Sequence, residues 1–92
     1  MKIAINSCFG GFKLNDNVTR ECGFKSSYDV DRTDLKLIKL IESGVYVSDI
    51  NSSRIRIISI PDESTDWHII DYDGAEDVIY VLDGKIHWAG YE

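Results

Sequence analysis

Ninety-two residues suffice for one domain whose core needs neither disulfide nor metal, and 43% apolar content suits a globular chain. The formal charge of −6 is unevenly spread, with nine Lys/Arg against seven Asp/Glu in residues 1–58 and one Lys against nine Asp/Glu in residues 59–92. That acidic third would repel a polyanion, which disfavours general nucleic-acid binding, and no apolar run of about 18 residues offers a membrane span. Because Met1-Lys2-Ile3 opens directly into a strand pattern, no signal peptide is expected; a cytoplasmic location is, with Cys8 and Cys22 as thiols.

Lys2 to Asn6 alternates, with Ile3 and Ile5 on one side, and predicts a short strand. Ser7-Cys8-Phe9-Gly10-Gly11-Phe12-Lys13 follows, a diglycine bracketed by two aromatics and closed by a cation. Asn15-Asp16 then offers an N-cap for a short helix to about Cys22. Strand, glycine loop and helix in this order can turn backbone N–H groups toward an anion, although a diglycine equally serves a turn that needs positive φ.

Gly23 to Asp31 reads as a polar loop. Asp31-Arg32-Thr33-Asp34 supplies N-cap chemistry for a helix from about Asp34 to Ser43, and Gly44 is its natural stop. Leu37, Leu40 and Ile41 share one face, Leu35 and Ile38 widen it, and Lys36, Lys39 and Glu42 fall outside. Val45 to Ile50 is a brief strand or an extended connector, and Asn51-Ser52-Ser53 is a turn.

From Arg54 to Trp88 four β-type runs are punctuated by turns. Arg54 to Ile60 stops at Pro61, Trp67 to Tyr72 stops at Asp73-Gly74, and Val78 to Leu82 turns at Asp83-Gly84 into Lys85 to Trp88. A two-residue Asp-Gly loop favours a type I′ turn, which pairs Leu82 with Lys85, Val81 with Ile86, Tyr80 with His87 and Ile79 with Trp88. The face bearing Ile79, Val81, Ile86 and Trp88 is then expected to be core, under the helices. Val78, Tyr80, Leu82 and His87 make the other face too apolar for open solvent, so a covering helix or a second subunit is expected there, and with too few helices for both faces the protein is read as a homo-oligomer. The fold class is α+β: one domain over residues 1–92, with a mainly antiparallel sheet of four to six strands, the N-terminal strand plus a C-terminal meander, covered by two helices.

The segments MKIAINSCFGGF, DRTDLKLIKLIE, SSRIRIISIPDE and DWHIIDYDG together resemble a family of short bacteriophage-encoded proteins that begin with an MKI-x-IN-x-C-aromatic-GGF segment. The similarity spans most of the chain. It implies a phage origin, an α+β fold and action in the host bacterial cytoplasm, and it favours the work of small early phage proteins, which blunt host defence.

Cys8 with His68 or His87 would be the minimum for nucleophilic catalysis, but both histidines sit in strand patterns beside Trp67 or Trp88 and no third orienting residue can be assigned, so no enzyme is expected. The cysteines and histidines lack metal-ligand spacing, and Asp71, Asp73, Glu76 and Asp77 lack that of a Ca²⁺ loop, so neither metal nor cofactor is expected. Phe9, Phe12, Tyr28, Tyr72, Tyr80 and Tyr91 are more aromatics at loop and turn positions than one small core needs, with Lys13, Arg20, Lys25 and Arg32 as nearby cations.

Two functions follow. The first is a counter-defence sponge that sequesters a small anionic nucleotide signal at Asn6, Cys8, Phe9, Gly10, Gly11, Phe12, Lys13 and Arg32. The second is an inhibitor whose acidic third covers a basic site on a host defence protein.

Overall fold

The computed structural model describes residues 1–49 and 53–90 and has an α+β fold of two helices and five strands. Strand β1 (Lys2–Asn6) leads to helix α1 (Asp16–Cys22) and helix α2 (Leu35–Glu42), and strands β2 (Ile55–Ser59), β3 (Asp66–Tyr72), β4 (Ala75–Leu82) and β5 (Lys85–Trp88) complete the order. Instead of one sheet there are two, both antiparallel: β1 pairs with β2, and β3, β4 and β5 form a meander.

Local chemistry sets the helix ends. The Asn15 side chain accepts from the Val18 N–H at 2.9 Å to start α1, and Gly23 ends it at φ 78°. Asp34 caps α2 in the same way through the Leu37 N–H at 2.9 Å, and Gly44 follows its last turn at φ 83°. Leu37 and Ile38 are the buried members of the α2 stripe, with Leu40 and Ile41 packed behind them. Leu35 does not widen that stripe; it is exposed at the first turn of the helix. Residues 45–49 form a connector tied to the chain by a bridge between Leu14 and Ser48, while Ile50 and the Asn51-Ser52 part of the expected turn lie outside the described residues, as does Tyr91.

The β1–β2 ribbon sits between two cores. Ala4, Ile55 and Ile57 face the helices, joining Phe12, Leu14, Val18, Leu37, Ile38 and Val47. Ile3, Ile5, Ile58 and Ile60 face the meander and meet Val78, with Trp67, Ile69, Tyr80 and Ala89 around it. Each isoleucine sealed this way contributes about 1.5–3 kcal/mol relative to exposure, so the thin ribbon holds both halves together.

The turns and register of the meander match the sequence pattern. Asp73-Gly74 and Asp83-Gly84 both have positive φ at both positions, as type I′ turns require, and β5 pairs with β4 as Leu82 to Lys85 through Ile79 to Trp88. The face assignment is reversed. Val78 is fully buried against the ribbon, whereas Ile86 is 68% exposed and Trp88 48% exposed. Both faces are apolar, so alternation fixed the pairs without choosing the buried side; the ribbon, not the helices, covers the meander. The face of Val78 and Tyr80 is thus covered within the chain, and the ground given for a homo-oligomer falls away. No helix among the described residues is long and apolar enough to cross a membrane.

Candidate functional site

Asn6 closes β1 and is fully buried, so each of its polar groups needs a partner. Its amide NH₂ donates to the Cys8 carbonyl at 2.6 Å and to the Gly74 carbonyl at 2.7 Å, and its Oδ1 accepts from the Arg54 N–H at 2.7 Å. One side chain thereby ties the diglycine loop, the β3–β4 turn and the start of β2. Its own N–H donates to Glu76 Oε1 at 2.8 Å.

Arg32 completes this junction. Its two terminal nitrogens donate to both Glu76 oxygens, at 2.7 and 3.0 Å, and the guanidinium stacks 3.5 Å above the Phe12 ring. Both partners are largely shielded from water, the setting in which a bidentate pair with matching hydrogen bonds holds its geometry. Such an arginine is committed to its carboxylate and ring; to take a phosphate it would have to abandon Glu76.

The loop glycines serve the same junction. Gly11 sits at φ 84°, and a Cβ on Gly74 would stand 2.5 Å from Gly11 N and 2.6 Å from the Phe9 carbonyl. The loop backbone and the Asp73-Gly74 turn therefore touch directly, which only a glycine at 74 allows. Phe12 is buried as an anchor.

The eight residues predicted as one site thus separate. Asn6, Cys8, Gly11, Phe12 and Arg32 converge on the Gly74–Glu76 junction, where the Cys8 thiol donates to Asn6 Oδ1 at 3.4 Å. Lys13 lies elsewhere, 3.5 Å from the Asp49 carboxylate and 5.4 Å from the Tyr28 ring centre, and Tyr28 first and Asp49 second raise its pKa. Gly10 is exposed, and Phe9 is the member that opens to solvent, 71% exposed.

Phe9 forms one wall of a hollow of about 430 Å³, a size that suits a small organic ligand. Tyr72 and Trp88 supply further aromatic walls, Ile70 and Ala75 an apolar lining, and Ser7, Arg56 and Asp77 polar groups. The Arg56 side chain makes no ion pair or hydrogen bond among the described residues, in contrast to Arg32. Asp77 is held in place: its Oδ1 accepts from the Val78 N–H at 2.7 Å and lies against Gly90 so closely that a Cβ there would collide with it.

Sequence reasoning missed Arg56 and Trp88 as site members and placed Tyr72 only among the surplus aromatics. One signal was present, since Arg56 occupies the same alternation as Ile58 and Ile60 and pairs across the ribbon with Ile5, a charged residue in an otherwise apolar row. Trp88 carried no such signal, because its exposure depends on which face the ribbon covers.

The cysteines and histidines considered for catalysis and metal binding are not among the residues lining this hollow, whereas Glu76 and Asp77 of the acidic cluster are. A His68 ring nitrogen lies 3.1 Å from Asp66, His87 stacks on Tyr80 at 5.2 Å, and no cluster of three or more His, Cys, Asp or Glu poised for a metal occurs among the described residues. Comparison of the chain with protein-family models, with curated proteins and with solved structures finds no match.

Proposed function

We propose that the protein is a binding protein that sequesters a small aromatic anion of the nucleotide class, with the hollow beside Phe9 as its site. The observation that carries this reading is Arg56, a cation without an ionic partner among the described residues, set in a hollow walled by Phe9, Tyr72 and Trp88. Aromatic faces stack on a base at about 1–3 kcal/mol each and tolerate any base, while a guanidinium takes a phosphate. In this proposal the diglycine loop acts by holding Phe9 at the rim; Lys13 and Arg32 are not ligand contacts. Sequestration of a host signal by a phage-encoded protein acting in the bacterial cytoplasm is the biological role consistent with the family resemblance.

Calorimetric titration with adenine and guanine nucleotides tests it. Wild type is expected to bind at least one nucleotide, Arg56→Gln and Phe9→Ala to lose about tenfold or more each, and Lys13→Glu to bind like wild type. Absence of binding to any nucleotide, or undiminished binding by Arg56→Gln, rejects the proposal.

A second reading is supported by the −8 imbalance of residues 59–92 and by the exposed Ile86 on the outer face of the meander, in one cross-strand row with Val81 and Asp66. An apolar patch with acidic neighbours suits a basic protein surface, as an inhibitor of a host defence protein would need. The same charge opposes pairing of two copies through this face.

A further inference from the structure

We infer that the hollow selects an aromatic ligand bearing a single negative charge and discriminates against polyphosphates. This rests on the proposed nucleotide-class site and specifies which members of that class it admits. The charges that face the hollow do not balance a multiply charged ligand. Among the described residues Arg56 is the one cation that lines it, and Glu76, although it also contributes to the lining, is already neutralised by Arg32 at 2.7 Å. Asp77 remains, and its pinning by the Val78 N–H and Gly90 keeps the carboxylate in the wall. The adjoining β3–β4 turn adds Asp73, exposed and next in the chain to the lining residue Tyr72.

A ligand with one negative charge satisfies Arg56 and keeps the rest of its surface apolar against Phe9, Tyr72, Trp88 and Ile70. Each further phosphate charge finds no second cation among the described residues of that lining and meets the Asp77 carboxylate in the wall, with Asp73 on the adjoining turn adding to the repulsion. Stacking does not compensate, because the base makes the same contacts whatever its phosphate chain. A cyclic nucleoside monophosphate or a phosphodiester has the required charge; a nucleoside triphosphate does not.

The test is calorimetric titration of wild-type protein with cyclic AMP, AMP and ATP, and with the matching guanine set, at about 0.15 M salt. Within at least one base series, the cyclic monophosphate is expected to bind at least about tenfold more tightly than the triphosphate, with the linear monophosphate between them. Asp77→Asn keeps the acceptor for the Val78 N–H while removing the charge, and Asp73→Asn suits the left-handed position at φ 52°. Combining the two should shrink the preference to about threefold or less, mainly by strengthening triphosphate binding. Triphosphate binding as tight as that of the cyclic monophosphate, or a preference unchanged in the double variant, overturns the inference yet leaves the site itself standing wherever Arg56→Gln still weakens binding. No binding by any of the six compounds overturns the inference and the proposed site together.

Discussion

The two faces of the meander are built from similar residues and have opposite fates. Val78, Ile69, Trp67 and Tyr80 on the inner face pack against the ribbon of β1 and β2, while Ile70, Tyr72, Ile86 and Trp88 on the outer face stay accessible. Apolarity states which surfaces would gain from burial, whereas the cover that the ribbon provides decides which one is buried. What remains open is available for a ligand or partner, and here it carries the aromatic walls of the hollow.

The contrast can be attacked first at the junction that fastens the meander to the rest of the chain. Glu76→Ala leaves the Arg32 guanidinium and the Asn6 N–H without their acceptor, and is expected to cost about 3–5 kcal/mol in denaturant unfolding. A cost near that of an exposed residue would mean that the junction does not fasten the hairpin. Next in size is the inner face: Val78→Ala should cost about 1.5–3 kcal/mol, because no part of its side chain is open to water. On the outer face Ile86→Ala should change stability by less than about 0.5 kcal/mol. Equal costs for Val78→Ala and Ile86→Ala would erase the distinction between the faces.

The smallest effect lies away from the meander and is set by pH. Burial first, and Asp34 second, push the Cys22 thiol above its ordinary value, so the fold prefers the neutral form. A group with a raised folded-state pKa stabilises fully below its unfolded value, and that contribution is lost as pH rises through the folded value. Stability should therefore fall on the alkaline side, and Cys22→Ala should flatten that limb relative to the variant's own neutral plateau, which the loss of packing against the helical core lowers. An alkaline limb identical in the variant would remove Cys22 as its cause.

The elements were legible in the sequence where local chemistry decides them. Strand β1 from Lys2 to Asn6 follows from alternation, both helices begin at the expected caps Asn15 and Asp34, and Asp83-Gly84 fixes the β4–β5 register. What was not legible depends on contacts between residues far apart in the chain. The division into two sheets, the burial of Val78 rather than Ile86, and the capture of Arg32 by Glu76 across 44 positions each need the tertiary arrangement. The candidate site shows the same limit: Phe9 is a candidate contact from its loop alone, but the residues that line the hollow with it come from β2, β3, β4 and β5.

The chain has two tryptophans, and they divide between the faces, Trp67 packed against the ribbon side and Trp88 lining the hollow. Proton–nitrogen correlation spectra of the indole N–H groups during titration with a cyclic nucleoside monophosphate therefore test the central claim directly. The Trp88 indole should show a saturable shift with Trp67 nearly unmoved, and Arg56→Gln should need about tenfold or more ligand to reach it; a shift confined to Trp67, or no shift in either, would contradict the proposed site.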